Sequence, residues 1–189
     1  MNIKILQQNI SQYNNQVREL MDILLCEMPQ ILLFSEFCYS KHENEILKRL
    51  EGENYSTVMP VEYSKYRDKD KPCICMMAVK DDIIFRPRKR NCITLSGRYI
   101  EGELEFGNKV LMEILFIHAP QTYVCKKEQF SRKDVIYYQD RVEQKAEMLF
   151  ATFRFWNEYK NNNVFIGGDF NTEINGSTRC ENIFKAMEY

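Results

Sequence analysis

Apolar and polar positions along the chain switch between two periods, and the switches mark the elements. Ile3, Ile5 and Leu6 precede polar Gln7, Gln8 and Asn9, which reads as a first strand over Lys4–Ile10. Val17, Leu20, Met21, Leu24, Leu25 and Met28 then recur at three and four residues. That spacing predicts an amphipathic helix from about Asn14 to Glu27, stopped by Pro29. Ile31–Phe34 is an unbroken apolar run, as in a strand covered on both faces. Strand, helix, strand within about thirty residues makes a βαβ unit.

Ile46, Leu47 and Leu50 predict a short helix over Glu43–Leu50. Strand-like runs follow at Tyr55–Val61, Cys73–Lys80, Ile83–Arg86, Asn91–Ser96, Tyr99–Phe106 and Val110–His118. A charged loop at Tyr63–Lys71 and turn signals at Asp81-Asp82 and Gly107-Asn108 separate them, the last reading as a hairpin. Tyr138, Val142, Ala146, Leu149, Phe153 and Trp156 predict a long helix over Asp134–Tyr159, and Val164–Ile166 a short buried strand. Glu181–Met187 reads as a last turn or two of helix. No repeat or linker divides the chain, so residues 1–189 read as one domain.

Composition narrows the chemistry. Lys and Arg number 26 against 27 Asp and Glu, so the net charge of −1 supplies no global field for a polyanion. Any phosphate binding is therefore local. The one dense basic cluster is Arg86-Pro87-Arg88-Lys89-Arg90, which could meet a polyanion or guard a sheet edge. Seven cysteines are irregularly spaced, with no pair of C-x-x-C units and only two histidines, which argues against a zinc site and for free thiols in a reducing compartment. The polar N-terminus does not read as a signal peptide, and no apolar run approaches the ~20 residues of a membrane span. The expected location is the cytoplasm.

Polar residues stand at the ends of apolar strands in four separate segments: Asn9, Glu36, His118, and Asp169 with Asn171. Ligands of open α/β sheets gather beyond strand ends. Glu36 is a hard oxygen ligand suited to Mg²⁺ or Mn²⁺, and Asn9 offers an amide oxygen to an ion or an NH₂ to a phosphate. His118 can donate a hydrogen bond or a proton to a developing oxyanion. Asp169 can orient or deprotonate a water, and Asn171 can hold a phosphate oxygen. The set describes metal-assisted displacement at phosphorus.

Gly167-Gly168-Asp169-Phe170-Asn171-Thr172 resembles the G-D-F-N signature of the endonuclease/exonuclease/phosphatase superfamily. Three further matches stand in the family's order: Ile5-Leu6-Gln7-Gln8-Asn9-Ile10, Leu32-Leu33-Phe34-Ser35-Glu36, and Leu115-Phe116-Ile117-His118-Ala119-Pro120. The resemblance implies a four-layer α/β sandwich of the DNase I-like type with its site at one rim. It implies that Glu36 binds the metal with Asn9 beside it, that His118 stabilises or protonates the phosphate, that Asp169 orients the catalytic apparatus and that Asn171 contacts phosphate. Arg98, just ahead of a strand, is a further candidate for the phosphate. The implied substrate is a phosphate ester, nucleic acid among the options.

One departure from the family is clear. Its second half normally runs on past G-D-F-N to a Ser-Asp-His motif, and no Ser-Asp-His occurs in this sequence. Half of the implied acid–base pair and several strands of the second sheet are then expected to be missing, making the second half incomplete. Weak activity, self-association or a partner chain that completes the sandwich, and a binding module without catalysis all remain open on these residues.

Overall fold

The structure, a computed structural model, describes residues 2–10, 16–37, 42–60, 74–88, 96–120 and 132–171, with side chains from 142 onward in the last stretch. The elements run β1 (Ile5–Asn9), α1 (Val17–Cys26), β2 (Ile31–Phe37), α2 (Glu43–Gly52), β3 (Tyr55–Val58), β4 (Ile74–Lys80), β5 (Ile83–Pro87), β6 (Tyr99–Phe106), β7 (Lys109–His118), α3 (Arg132–Tyr159) and β8 (Val164–Asp169).

The strands form two four-stranded sheets, ordered β1-β2-β4-β3 and β5-β6-β7-β8. Each sheet holds one parallel pair joined through a helix: β1 and β2 through α1, β7 and β8 through α3. Parallel neighbours need such a crossover, whereas β6 and β7 need only a tight turn. Gly107 and Asn108 supply it with φ of 54° and 63°, the left-handed pair that a two-residue hairpin uses.

Three hydrophobic cores separate four layers. Val17, Met21, Leu24, Ile46 and Leu50 pack α1 and α2 on Leu32, Phe34 and Met76 of the first sheet. Ile31, Leu33, Cys75 and Met77 meet Ile100, Leu104, Ile114 and Phe116 between the sheets. Met148, Ala151 and Phe155 of α3 cover Leu115 and Ile117 of the second sheet. Alternate residues of β2 and β7 therefore serve two cores, which is why both strands read as continuous apolar runs. The architecture is the four-layer DNase I-like sandwich.

Several expected boundaries move. The second strand does not stop at Phe34 but runs to Phe37, with a break in its register against β4 between Phe34 and Phe37. The last strand continues through Gly167, Gly168 and Asp169. The strand expected at Tyr55–Val61 ends at Val58. Ser96–Arg98, at the end of the expected Asn91–Ser96 strand, forms a 3₁₀ turn. The Tyr63–Lys71 loop, Asn91 to Leu95 and the Glu181–Met187 helix lie outside the described residues.

Candidate active site

Both parallel pairs end at the same rim. β1 ends at Asn9 and β2 one residue past Glu36, at Phe37, while β7 and β8 end side by side with His118 paired to Asp169. The rim unites the sheets through side chains. Asn9 Nδ2 donates to Asp169 Oδ2 at 3.1 Å, and His118 Nε2 stands 3.5 Å from Glu36 Oε1. Ligand atoms of Glu36, His118 and Asp169 all lie within 4.8 Å of one another. Four residues from four segments thus meet as one cluster.

Local backbone explains how each side chain arrives. Two residues of β2, Ser35 and Glu36, occupy the space opposite Cys75 of β4, and Glu36 has φ of 56°. A bulge redirects a side chain out of the strand's alternation, and a glutamate in the left-handed region carries strain of roughly 1–2 kcal/mol. Gly168 has φ of 143°, and a Cβ there would overlap the carbonyl oxygen of Ile117. Glycine is obligatory where β8 closes on β7, and that approach sets Asp169 beside His118.

Asn171 acts as a staple. Its backbone N–H donates to Asp169 Oδ1 at 2.9 Å, and its Nδ2 donates to the Ala119 carbonyl at 2.7 Å, one residue past His118. Its φ of 48° is one that asparagine tolerates. Lys145 of α3, nearly buried, donates from Nζ to the Asn171 carbonyl. Sequence reasoning missed Lys145. The available signal was a lysine on the helix's apolar face, three residues before Met148 and four before Leu149.

Arg98 comes out of its 3₁₀ turn with Nη1 3.4 Å from His118 Nδ1. A guanidinium only donates, so that nitrogen accepts, and a neutral ring then carries its proton on Nε2, facing Glu36. His118 itself is 3% exposed and Glu36 22%, so the carboxylate lies on the open side of the cluster. Beneath it lies Cys75, fully buried, whose thiol is pushed up by burial and stays protonated.

The basic cluster lies elsewhere. Arg86 Nε is 2.7 Å from Glu105, and Arg88 is held by Glu103 and Glu113 with its guanidinium over the Tyr159 ring. Both arginines serve the outer face of the second sheet. Lys89 and Arg90 lie outside the described residues.

No family model matches the chain, and no curated protein matches it in sequence. Solved structures match the fold. Against TDP2 of D. rerio complexed with a single-strand DNA product, the TM-score is 0.63 at 14% identity, covering 96% of this chain and 64% of that one. An AP endonuclease from Archaeoglobus fulgidus gives 0.61 at 12% identity, covering 99% of this chain and 70% of the other. ANGEL2, a 2′,3′-cyclic phosphatase in complex with adenosine-2′,3′-vanadate, gives 0.59 at 14% identity over 90% and 54%. The chain spans about half to seven-tenths of these solved chains.

Among the described residues, no helix is long and apolar enough to cross a membrane.

Proposed function

We propose that the chain is a divalent-metal-dependent phosphoesterase that hydrolyses P–O bonds with water, acting as a phosphodiesterase or nuclease. The observation that carries this reading is the convergence of Glu36, His118 and Asp169 within 4.8 Å at the ends of β2, β7 and β8. Two carboxylates and the Asn9 amide are hard oxygen donors, which fits Mg²⁺ or Mn²⁺, ions content with few protein ligands and several waters. When bound, the ion supplies Lewis-acid polarisation of a phosphoryl oxygen.

The chain's own residues would divide the remaining work. Glu36 holds the ion from the open side, with Asn9 beside it. Asp169, fixed by Asn9 and by the Asn171 N–H, orients the attacking water. His118 presents Nε2–H to the charge that develops on phosphate, and Arg98 adds a cation behind the ring, at Nδ1. Asn171, its Nδ2 directed at Ala119, contributes chiefly by locking the β7 and β8 ends together and offers its remaining amide atoms to phosphate. The fold shared with TDP2 bound to a DNA product and with a 2′,3′-cyclic phosphatase favours a nucleic-acid phosphate ester as substrate. Cysteine usage favours the cytoplasm. β1, β3, β5 and β8 are the outer strands of the two sheets among the described residues, so a partner chain or a second copy would add at one of these edges.

Calorimetry with MnCl₂ and hydrolysis of an activated aryl phosphodiester test the reading together. Wild type is expected to bind Mn²⁺ and to turn over slowly, whereas Glu36→Gln loses the binding heat. His118→Ala and Asp169→Ala are each expected to reduce turnover by ~10²–10⁴-fold. Mn²⁺ binding without turnover would leave a phosphate-binding module; equal heats from wild type and Glu36→Gln would remove Glu36 from the site.

A further inference from the structure

β2 alternates without interruption up to its bulge. Ile31 and Leu33 enter the core between the sheets, while Leu32 and Phe34 enter the core under α1 and α2. Ser35, next in line, falls on the inter-sheet side. Its ladder partner supports that placement. The register pairs Ile5 with Ile31 between the sheets, Leu6 with Leu32 under the helices, and Asn9 with Ser35. Asn9 sends its amide across that side to Asp169. Ser35 is therefore directed into the floor of the carboxylate cluster, next to the strained Glu36.

Ser35 is 0% exposed, and its Oγ has no hydrogen-bond partner. Among the described residues it is the one buried side-chain oxygen or nitrogen in that condition. A buried hydroxyl left unpaired destabilises a fold, and alanine at the same position would not carry that penalty. Such a group calls for a partner that the polypeptide itself does not provide.

We propose that Ser35 is a positioning residue of the metal site, its hydroxyl holding a water of the ion's coordination shell on the core side of the cluster. The inference rests on the metal-binding reading above. A small hard cation with few carboxylates keeps several waters, and each has protons that need acceptors. A serine hydroxyl offers two lone pairs and one proton of its own. Cys75, opposite the bulge, is a weaker acceptor than the Ser35 hydroxyl.

The test is Mn²⁺ calorimetry on wild type, Ser35→Ala and Glu36→Gln, each paired with a thermal melt in the absence of metal. Ser35→Ala is expected to melt at or above wild type without metal, yet to bind Mn²⁺ about tenfold more weakly. A purely structural serine would move the melt and leave the affinity alone. Equal affinity in wild type and Ser35→Ala overturns the proposal while leaving the metal reading intact. A metal-free melt well below wild type also overturns it, because the hydroxyl is then satisfied within the fold. No binding heat from wild type removes the metal reading, and the proposal with it.

Discussion

Two polar clusters involve the second sheet, one on its outer face and one where its rim meets the first sheet, and they are built in opposite ways. On its outer face, Arg88 is clamped between Glu103 and Glu113 and stacked on Tyr159, with Glu113 only 4% exposed. Opposite charges answer one another there, on strands in which no described residue has a positive φ. At the rim, Glu36 and Asp169 converge on one imidazole from backbone that carries three left-handed residues, Glu36, Gly168 and Asn171, with an unpaired hydroxyl below. The first arrangement holds layers together. In the second, two carboxylates are brought into one place at the expense of local backbone strain, a pattern common at functional sites.

The largest expected effect tests whether the rim depends on its backbone. Gly168→Ala would force a Cβ into the Ile117 carbonyl at a φ of 143°. A loss of about 3–5 kcal/mol is expected in urea unfolding. A variant within about 1 kcal/mol of wild type would mean that β8 can shift and that Asp169 is not fixed by this approach.

Next in size is the outer cluster. Arg88→Met leaves Glu113 buried without its cation and should cost about 2 kcal/mol, since stranding one member of a buried pair is worse than removing both. Adding Glu113→Gln should recover part of that loss. Mn²⁺ affinity should not change in either protein. A change in affinity would join the two clusters and break the contrast drawn between them.

How legible was this in the sequence? The helices and most strands were, because their apolar periods are clean: α1, α2 and α3 repeat at three and four residues, and β2 and β7 are runs fed by two cores. The rim was legible as a set of polar residues after apolar runs. Its mechanism was not. Phe34-Ser35-Glu36 looks like a strand ending in polar residues, and only the register with β4 reveals a bulge. Gly167-Gly168 looks like a strand break, yet both stay in β8, paired with Phe116 and Ile117 of β7. Arg98 carried little signal, because a 3₁₀ turn rather than a periodic element aims it at His118. The basic run at 86–90 was the opposite case: dense in sequence, but Arg86 and Arg88 are answered by glutamates from β6 and β7, which no local pattern announces.

A smaller effect, of reversed sign, is expected at the bulge. Glu36→Asn keeps a polar side chain of a type that accepts φ near 56°. The metal-free protein should gain about 1 kcal/mol, while Mn²⁺ binding falls away. Destabilisation instead would show that Glu36 holds the rim together without metal, which would make the two clusters alike.

The smallest effect is confined to high pH and belongs to the outer cluster. Burial, helped by a hydrogen bond to Glu158, pushes the Tyr159 phenol up to about 12 from its ordinary 10.0. The unfolded chain therefore releases this proton first. The stabilisation is complete below pH 10.0 and declines as the pH climbs towards about 12, where the folded phenol also ionises. Tyr159→Phe removes this contribution to the alkaline slope. Tyr55, whose phenol is also raised by burial, keeps a slope of its own, so the reading is the difference between the two proteins. Melting wild type and Tyr159→Phe between pH 9 and 11 should give parallel behaviour at the lower end, then a steeper fall for wild type at the upper end. Curves that stay parallel throughout would put the phenol in water and reduce the Arg88 cluster to its two glutamates.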